Sequence, residues 1–98
     1  MTTLKKLGPR NGNFLSFSEY GFTITMDFRM TKNFEIIYKE FEKLMGGDDI
    51  KIYLTKDSLM SENFFKKKYT FYKKFISIKN RYDKKNKINS IQSSRIGI

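Results

Sequence analysis

Ile50-Lys51-Ile52-Tyr53-Leu54-Thr55-Lys56-Asp57 alternates apolar and polar side chains from its first residue to Thr55. Ile50, Ile52 and Leu54 fall on one side and Lys51, Tyr53 and Thr55 on the other, the period of a strand with one buried face. Lys56-Asp57-Ser58 cannot extend it, so the pattern predicts a strand over 50–55 that ends at a sheet rim. A phenol, Tyr53, and an ammonium, Lys56, then lie three residues apart at and just past that rim. Flavin and anionic-substrate sites use such groups, the phenol against a ring edge and the lysine against developing negative charge.

On the N-terminal side, Phe34, Ile37, Phe41 and Leu44 recur every three or four residues and predict a helix over 32–45 with one apolar stripe. Thr31 suits its N-cap, and Gly46-Gly47 offers a left-handed stop. Before it, 22–28 reads as a strand with Phe22, Ile24, Met26 and Phe28 on the core side and Thr23, Thr25 and Asp27 on the other. Residues 13–17 read as a shorter strand, reversed through Ser18-Glu19-Tyr20-Gly21. Residues 1–12 read as a lead-in loop with turn signals at Gly8-Pro9 and Asn11-Gly12. On the C-terminal side, Ser61 opens a helical region, with Glu62 in its first turn, where the helix dipole favours an acid. Phe64, Phe71, Phe75, Ile78 and Tyr82 form a stripe that ends at Asp83. Helices over 62–69 and 71–82 follow if Thr70 caps the second; otherwise the two merge. Residues 84–98 read as a loosely ordered tail, with Ile88, Ile91, Ile96 and Ile98 available to dock it. The expected fold is α+β, a small antiparallel or mixed sheet packed by helices, with a helical crossover between the strands at 22–28 and 50–55.

Ninety-eight residues with 39% apolar side chains, ten Phe and six Tyr make one domain with a modest core. The chain has no cysteine and no histidine. That removes disulfides, thiolate nucleophiles, the usual zinc sites and His-based triads, and agrees with a reducing, cytoplasmic setting. No apolar run approaches a membrane span, and Met1-Thr2-Thr3-Leu4-Lys5-Lys6 lacks the apolar core of a signal peptide. The net charge of +10 is uneven: residues 1–63 hold nine Lys/Arg and nine Asp/Glu, whereas 64–98 hold eleven Lys/Arg and one acid, Asp83. Such a block can meet nucleic acid or an anionic membrane surface. Equally, 16 Lys, 7 Asn and 11 Ile suit an AT-rich genome acting on solvated helix faces.

Several segments together resemble a known family. They are Leu7-Gly8-Pro9-Arg10-Asn11, Leu15-Ser16-Phe17, Gly21-Phe22 through Asp27-Phe28, Tyr53-Leu54-Thr55-Lys56-Asp57, Met60-Ser61 with Phe65, and Arg95-Ile96-Gly97-Ile98. In this order they are similar to the C-terminal part of FAD-linked oxidoreductases of the vanillyl-alcohol-oxidase type. The nearest in pattern are the sugar-oxidising subunits of the decaprenylphosphoryl-ribose 2'-epimerase type, with aldonolactone oxidases more distant. The resemblance covers nearly the whole chain but only the last part of such an enzyme. It implies a substrate-side, partial domain over 1–98, with FAD as cofactor held mainly by a separate FAD-binding domain or subunit. The substrate would be a sugar or similar polyol, oxidised at an alcohol carbon.

Carried onto this sequence, the resemblance implies substrate contacts from Lys56, Lys5 and Thr23 and cofactor contacts from Tyr53 and Thr25. Each has a plainer alternative: a loop lysine, a lysine near a chain start, β-branched strand residues, and an edge-strand tyrosine packed on Lys51. The sequence departs from the family at Ser90-Ile91-Gln92, where an acid is expected, at Ser94-Arg95, where an Arg pair is expected, and at Thr70, where a proline is expected. The first two departures put the anchoring of the tail against the flavin domain in question, and the third bears on the break between the two helices. No segment offers a glycine-rich phosphate cradle, so the chain is not expected to be a competent oxidase alone. It reads as a split-gene subunit, a cut-down piece or a non-functional truncated remnant. The rival from another class is a small basic nucleic-acid-binding protein. It would use Lys66-Lys67-Lys68, Lys73-Lys74 and Lys84-Lys85 on phosphates, with Tyr69, Phe71 or Tyr72 on bases.

Overall fold

The computed structural model describes residues 1–47 and 49–98. Its elements are β1 (Thr2–Leu7), β2 (Gly21–Met26), α1 (Lys32–Leu44), a single 3-10 turn (Leu54–Lys56), α2 (Glu62–Lys68), α3 (Tyr72–Tyr82) and α4 (Ile91–Ile96). The class is α+β, a two-stranded antiparallel sheet with four helices.

The sheet is assembled differently from expectation. β2 pairs with Thr2–Leu7 in the register Thr2↔Met26, Leu4↔Ile24 and Leu7↔Gly21. The expected lead-in loop is therefore a strand, and the Asp27 N–H extends the ladder to the Met1 carbonyl at 3.3 Å. The expected strand at 13–17 is a turn, because short polar side chains capture the backbone there. Asn11 Oδ1 accepts from the Asn13 N–H (3.0 Å), and Ser16 N–H donates to the Asn13 carbonyl (3.2 Å).

The expected strand at 50–55 is also replaced. Lys56 N–H turns back to the Tyr53 carbonyl (3.0 Å), and the Ile52 carbonyl accepts from the Tyr69 hydroxyl (2.7 Å). Leu54's carbonyl accepts from Gln92 Nε2. Side chains and a local turn satisfy these backbone groups, so no neighbouring strand is recruited. The alternation in this stretch reports burial instead: Ile52 and Leu54 pack on the core.

The helices follow their periodic patterns. Thr31 Oγ1 accepts from the Phe34 N–H (3.1 Å) and Ser61 Oγ from the Phe64 N–H (3.2 Å), the two N-caps read from sequence. α1 stops at Met45 without a left-handed residue there (φ −76°); the Met45 N–H closes onto the Phe41 carbonyl at 3.0 Å. The break between α2 and α3 persists, but Phe71 rather than Thr70 is the N-cap residue of α3 and no side chain caps it.

The core gathers Met45, Met60, Phe64, Phe65, Tyr69 and Ile96, with Leu15, Ile52, Leu54, Tyr72 and Ile98 packed against it. Phe65 lies at its centre, stacked on Tyr69 (centroids 5.2 Å apart) and edge-on to Tyr72 (6.1 Å). The tail expected to be loose carries α4 instead. Ser90 and Ser93 form a reciprocal capping box, and Gly97 ends the helix in the left-handed region (φ 72°). A side chain at Gly97 would also meet the Glu62 carboxylate, with a Cβ 2.6 Å from Oε1. Of the four tail isoleucines, Ile96 is buried and Ile98 packs on the core, while Ile88 and Ile91 stay exposed.

The hairpin lies outside this core, and α1 borders it through Tyr38, Glu42 and the C-cap residue Met45. The apolar face of β2, expected to be covered, is open: Phe22 is 70% exposed and Ile24 59%, with Leu4 and Met26 beside them. α1 has no buried residue, and Ile37, Phe41 and Leu44 of its stripe are exposed. The radius of gyration, 14.6 Å, accordingly exceeds the ~13 Å of a compact domain of this length. Among the described residues, no helix is long and apolar enough to cross a membrane.

Two phenols are shielded from solvent, Tyr69 donating to the Ile52 carbonyl and Tyr38 with its hydroxyl buried. Burial holds Tyr38 above the ordinary phenol range, with the Asp57 and Glu42 charges adding to it; burial and then the Asp57 charge do the same for Tyr69. Both raised values favour the neutral phenol in the folded state. The stability they contribute is present below the unfolded phenol value of about 10 and declines as pH rises above it. In a spectrophotometric titration, two of the six tyrosines should resist ionisation at pH 10–11 and release only as the chain unfolds. Six normal phenols in a still-folded chain would contradict this packing.

Candidate functional site

The sequence-derived site residues fall into two groups. Tyr53 and Lys56 bracket the 3-10 turn: Tyr53 is its N-cap residue and Lys56 its last. The Tyr53 ring is half exposed and leans on Phe17 with centroids 4.9 Å apart, which fixes its plane. It packs on an aromatic rather than on Lys51. The Lys56 side chain is exposed.

What holds Lys56 in place is its neighbour. The Asp57 side chain, 1% exposed, accepts from the N–H groups of Leu59 (3.0 Å) and Met60 (2.7 Å) and from Arg95 Nη2 (2.8 Å). Arg95 Nη1 also donates to the Met60 carbonyl at 2.6 Å. A buried carboxylate with this set of donors is satisfied, and it clamps the backbone directly after Lys56.

Lys5, Thr23 and Thr25 form the second group, on the hairpin. Lys5 pairs directly with Thr23, and Thr25 pairs with Thr3 two residues along the same face. Directly opposed side chains have Cβ atoms about 5 Å apart, so an ammonium and two hydroxyls share one polar patch. The structure brings these three together and Tyr53 with Lys56 together. Among the described residues, no hydrogen bond, ion pair or ring contact joins the two groups.

Two concavities lie elsewhere, and none of the five residues lines either. The larger, about 430 Å³, is an open polar trough between α3 and α4 lined by Asn80, Asn86, Asn89 and Ser93. The smaller, about 120 Å³, lies where residues 10–19 and Lys51 meet the α2–α3 junction. Sequence reasoning missed this second place and the Asp57–Arg95 clamp. Both join residues far apart in the chain, and nothing in local spacing marks them.

As for what these groups can hold, Tyr53 offers a fixed ring with an open side, and Lys5 and Lys56 offer exposed ammonium groups. Gly8 and Gly12 lie between β1 and the turn near residue 13 and do not lead into a helix N-terminus. The Tyr53 ring and the two lysines are therefore open to a planar ring or to anionic oxygens, and neither glycine forms part of a pyrophosphate cradle. Among the described residues, no three carboxylates converge as a metal site requires. Comparison with models of known protein families gave no match, and comparison with curated proteins gave none.

Proposed function

We propose that the chain is the substrate-side part of an FAD-dependent oxidoreductase that oxidises an alcohol of a sugar or polyol, acting only when joined to a flavin domain. The observation that carries this reading is the two-sided hairpin. One face gathers Lys5, Thr23 and Thr25, while the other leaves Leu4, Phe22, Ile24 and Met26 uncovered. A contiguous apolar face of this kind is what a piece completed by another domain presents.

Lys56 and Lys5 would donate to substrate oxygens and steady the negative charge that develops there. Thr23 would hydrogen-bond the substrate, with Tyr53 and Thr25 against the ring edge of the cofactor. The flavin supplies the hydride acceptor when bound by the partner domain.

The test is a fusion of this chain behind the FAD domain of an oxidase of the family it resembles, in place of that enzyme's own C-terminal part. The fusion should keep its yellow flavin and reduce it with a sugar substrate under anaerobic conditions. Lys56→Ala should retain the flavin and slow reduction roughly a hundredfold, the usual scale for one electrostatic stabiliser. A fusion that holds flavin no better than the FAD domain alone, and shows no reduction, defeats the proposal.

The basic last third supports nucleic-acid binding less well than its charge suggests. The Tyr69 ring offered for base stacking is buried, and Tyr72 is half-buried against Phe65. Phe71 is exposed, but Arg10 and Lys74 already sit over its ring.

A further inference from the structure

We propose that α1 is the interface of a weak symmetric dimer, its uncovered apolar seam packing on the same seam of a second copy. Phe34, Ile37, Phe41 and Leu44 follow one another at three, four and three residues, the a/d spacing of a helix that packs along another helix. Phe34 is taken within the chain, its ring stacked on Phe28 with centroids 4.7 Å apart. Ile37, Phe41 and Leu44 are left 62%, 43% and 79% exposed. The pairing uses no residue of the hairpin and does not depend on the flavin reading.

The helix cannot hide this seam by rolling inward, because its neighbouring side is already engaged. Met45 lies in the core, the Tyr38 hydroxyl is buried, and Glu42 Oε1 accepts from the Ser61 N–H at 2.7 Å. Whatever covers the seam therefore comes from outside the chain.

Charge favours a second copy over an anionic surface. Lys32, Lys39 and Lys43 balance Glu35, Glu40 and Glu42 along α1, and Glu40, next to the seam, pairs with Lys43 at 2.6 Å. The ten excess positive charges all lie beyond residue 63. Two copies thus meet through a neutral helix, whereas a helix that lies on anionic lipid needs a basic polar face. The three side chains offer roughly 400 Å² per copy, and a symmetric pair with its polar flanks reaches about 1,000 Å² in total, the low end for a specific interface. The dissociation constant expected of such a contact is on the order of 10–100 µM.

Sedimentation velocity of the full chain, run from tenfold below to tenfold above that constant, should show monomer giving way to dimer. Leu44→Glu, at a site exposed in the monomer, should keep its helical circular dichroism and weaken association at least tenfold by placing a carboxylate in the seam. Ile24→Glu, on the apolar side of the hairpin, should associate as wild type. Because the chain has no cysteine, Ile37→Cys and Lys39→Cys each add a single thiol, the first on the seam and the second on the opposite side of the helix. A short bis-maleimide should couple the first into dimers and not the second. If Leu44→Glu loses its helical signal, this coupling carries the comparison.

A chain that stays monomeric throughout would overturn the proposal, as would equal weakening by Ile24→Glu and Leu44→Glu, or equal coupling of the two thiols. Monomeric chain that binds phosphatidylserine vesicles through Leu44 would also overturn it, in favour of a lipid surface.

Discussion

Phe65→Ala is expected to leave the chain largely unfolded where the wild type is folded. Phe65 is fully buried, in ring contact with Tyr69 and Tyr72 and surrounded by Met45, Met60, Phe64 and Ile96. Truncating such a side chain costs about 3–5 kcal/mol, part lost transfer energy and part cavity. A 98-residue chain has in total only about 5–15 kcal/mol, and here the low end applies because α1 and the hairpin bury little. Urea unfolding followed by circular dichroism measures the difference. Phe22→Ala, at an exposed position, is the control and should change stability by less than about 0.5 kcal/mol. Equal losses for the two variants would mean that the hairpin face is covered in solution, contrary to the arrangement described.

Arg95→Ala should be nearly as damaging, for a different reason. The Asp57 carboxylate is almost wholly buried, and Arg95 is the cation that meets it. Removing one partner of a buried pair leaves an uncompensated charge and costs about 3–5 kcal/mol. The Met60 carbonyl loses its donor at the same time. Arg95→Lys keeps the charge but not the fork that reaches both acceptors, so its loss should fall between. Hydrogen exchange should show the α4 amides of Arg95→Ala unprotected before those of α2. Wild-type protection of α4 in that variant would show that Ile96 alone docks the tail.

Local chemistry explains what could be read ahead of the structure. α1 and α2 were legible because an apolar stripe and a capping hydroxyl coincide at Thr31 and at Ser61, and α3 from its apolar stripe alone, without a side-chain cap. β1 was not: Thr2-Thr3-Leu4-Lys5-Lys6-Leu7 has no clean alternation, and only its pairing with Gly21–Met26 makes it a strand. The stretch at 50–55 misled because alternating burial has two causes. A ladder is one; a chain laid across a core with its carbonyls taken by Tyr69 and Gln92 is the other. α4 is six residues long, and its capping box uses Ser93 where the usual pattern has an acid or amide, so the signal was faint. Within the chain the tail is held by Arg95 on Asp57 and Gln92 on the Leu54 carbonyl. Lys56 was legible as a residue past the end of an extended stretch, but Tyr53 was expected in a strand and is instead the N-cap residue of a turn, and the separation of the hairpin group from both depends on tertiary placement.

The hairpin also governs how copies of this chain behave in a crowd. A two-stranded sheet has an unpaired outer edge on each strand, and this one adds an apolar side carrying Leu4, Phe22, Ile24 and Met26. Such a surface invites strand-by-strand accretion. The opposing influence is the excess of ten positive charges, which makes approaching copies repel. At physiological salt that repulsion reaches only about 8 Å. Colloidal protection therefore rests on lysines remote in sequence from the strands they shield. Polyanions that neutralise the basic third should therefore remove that protection, which light scattering at fixed chain concentration would read as a rise.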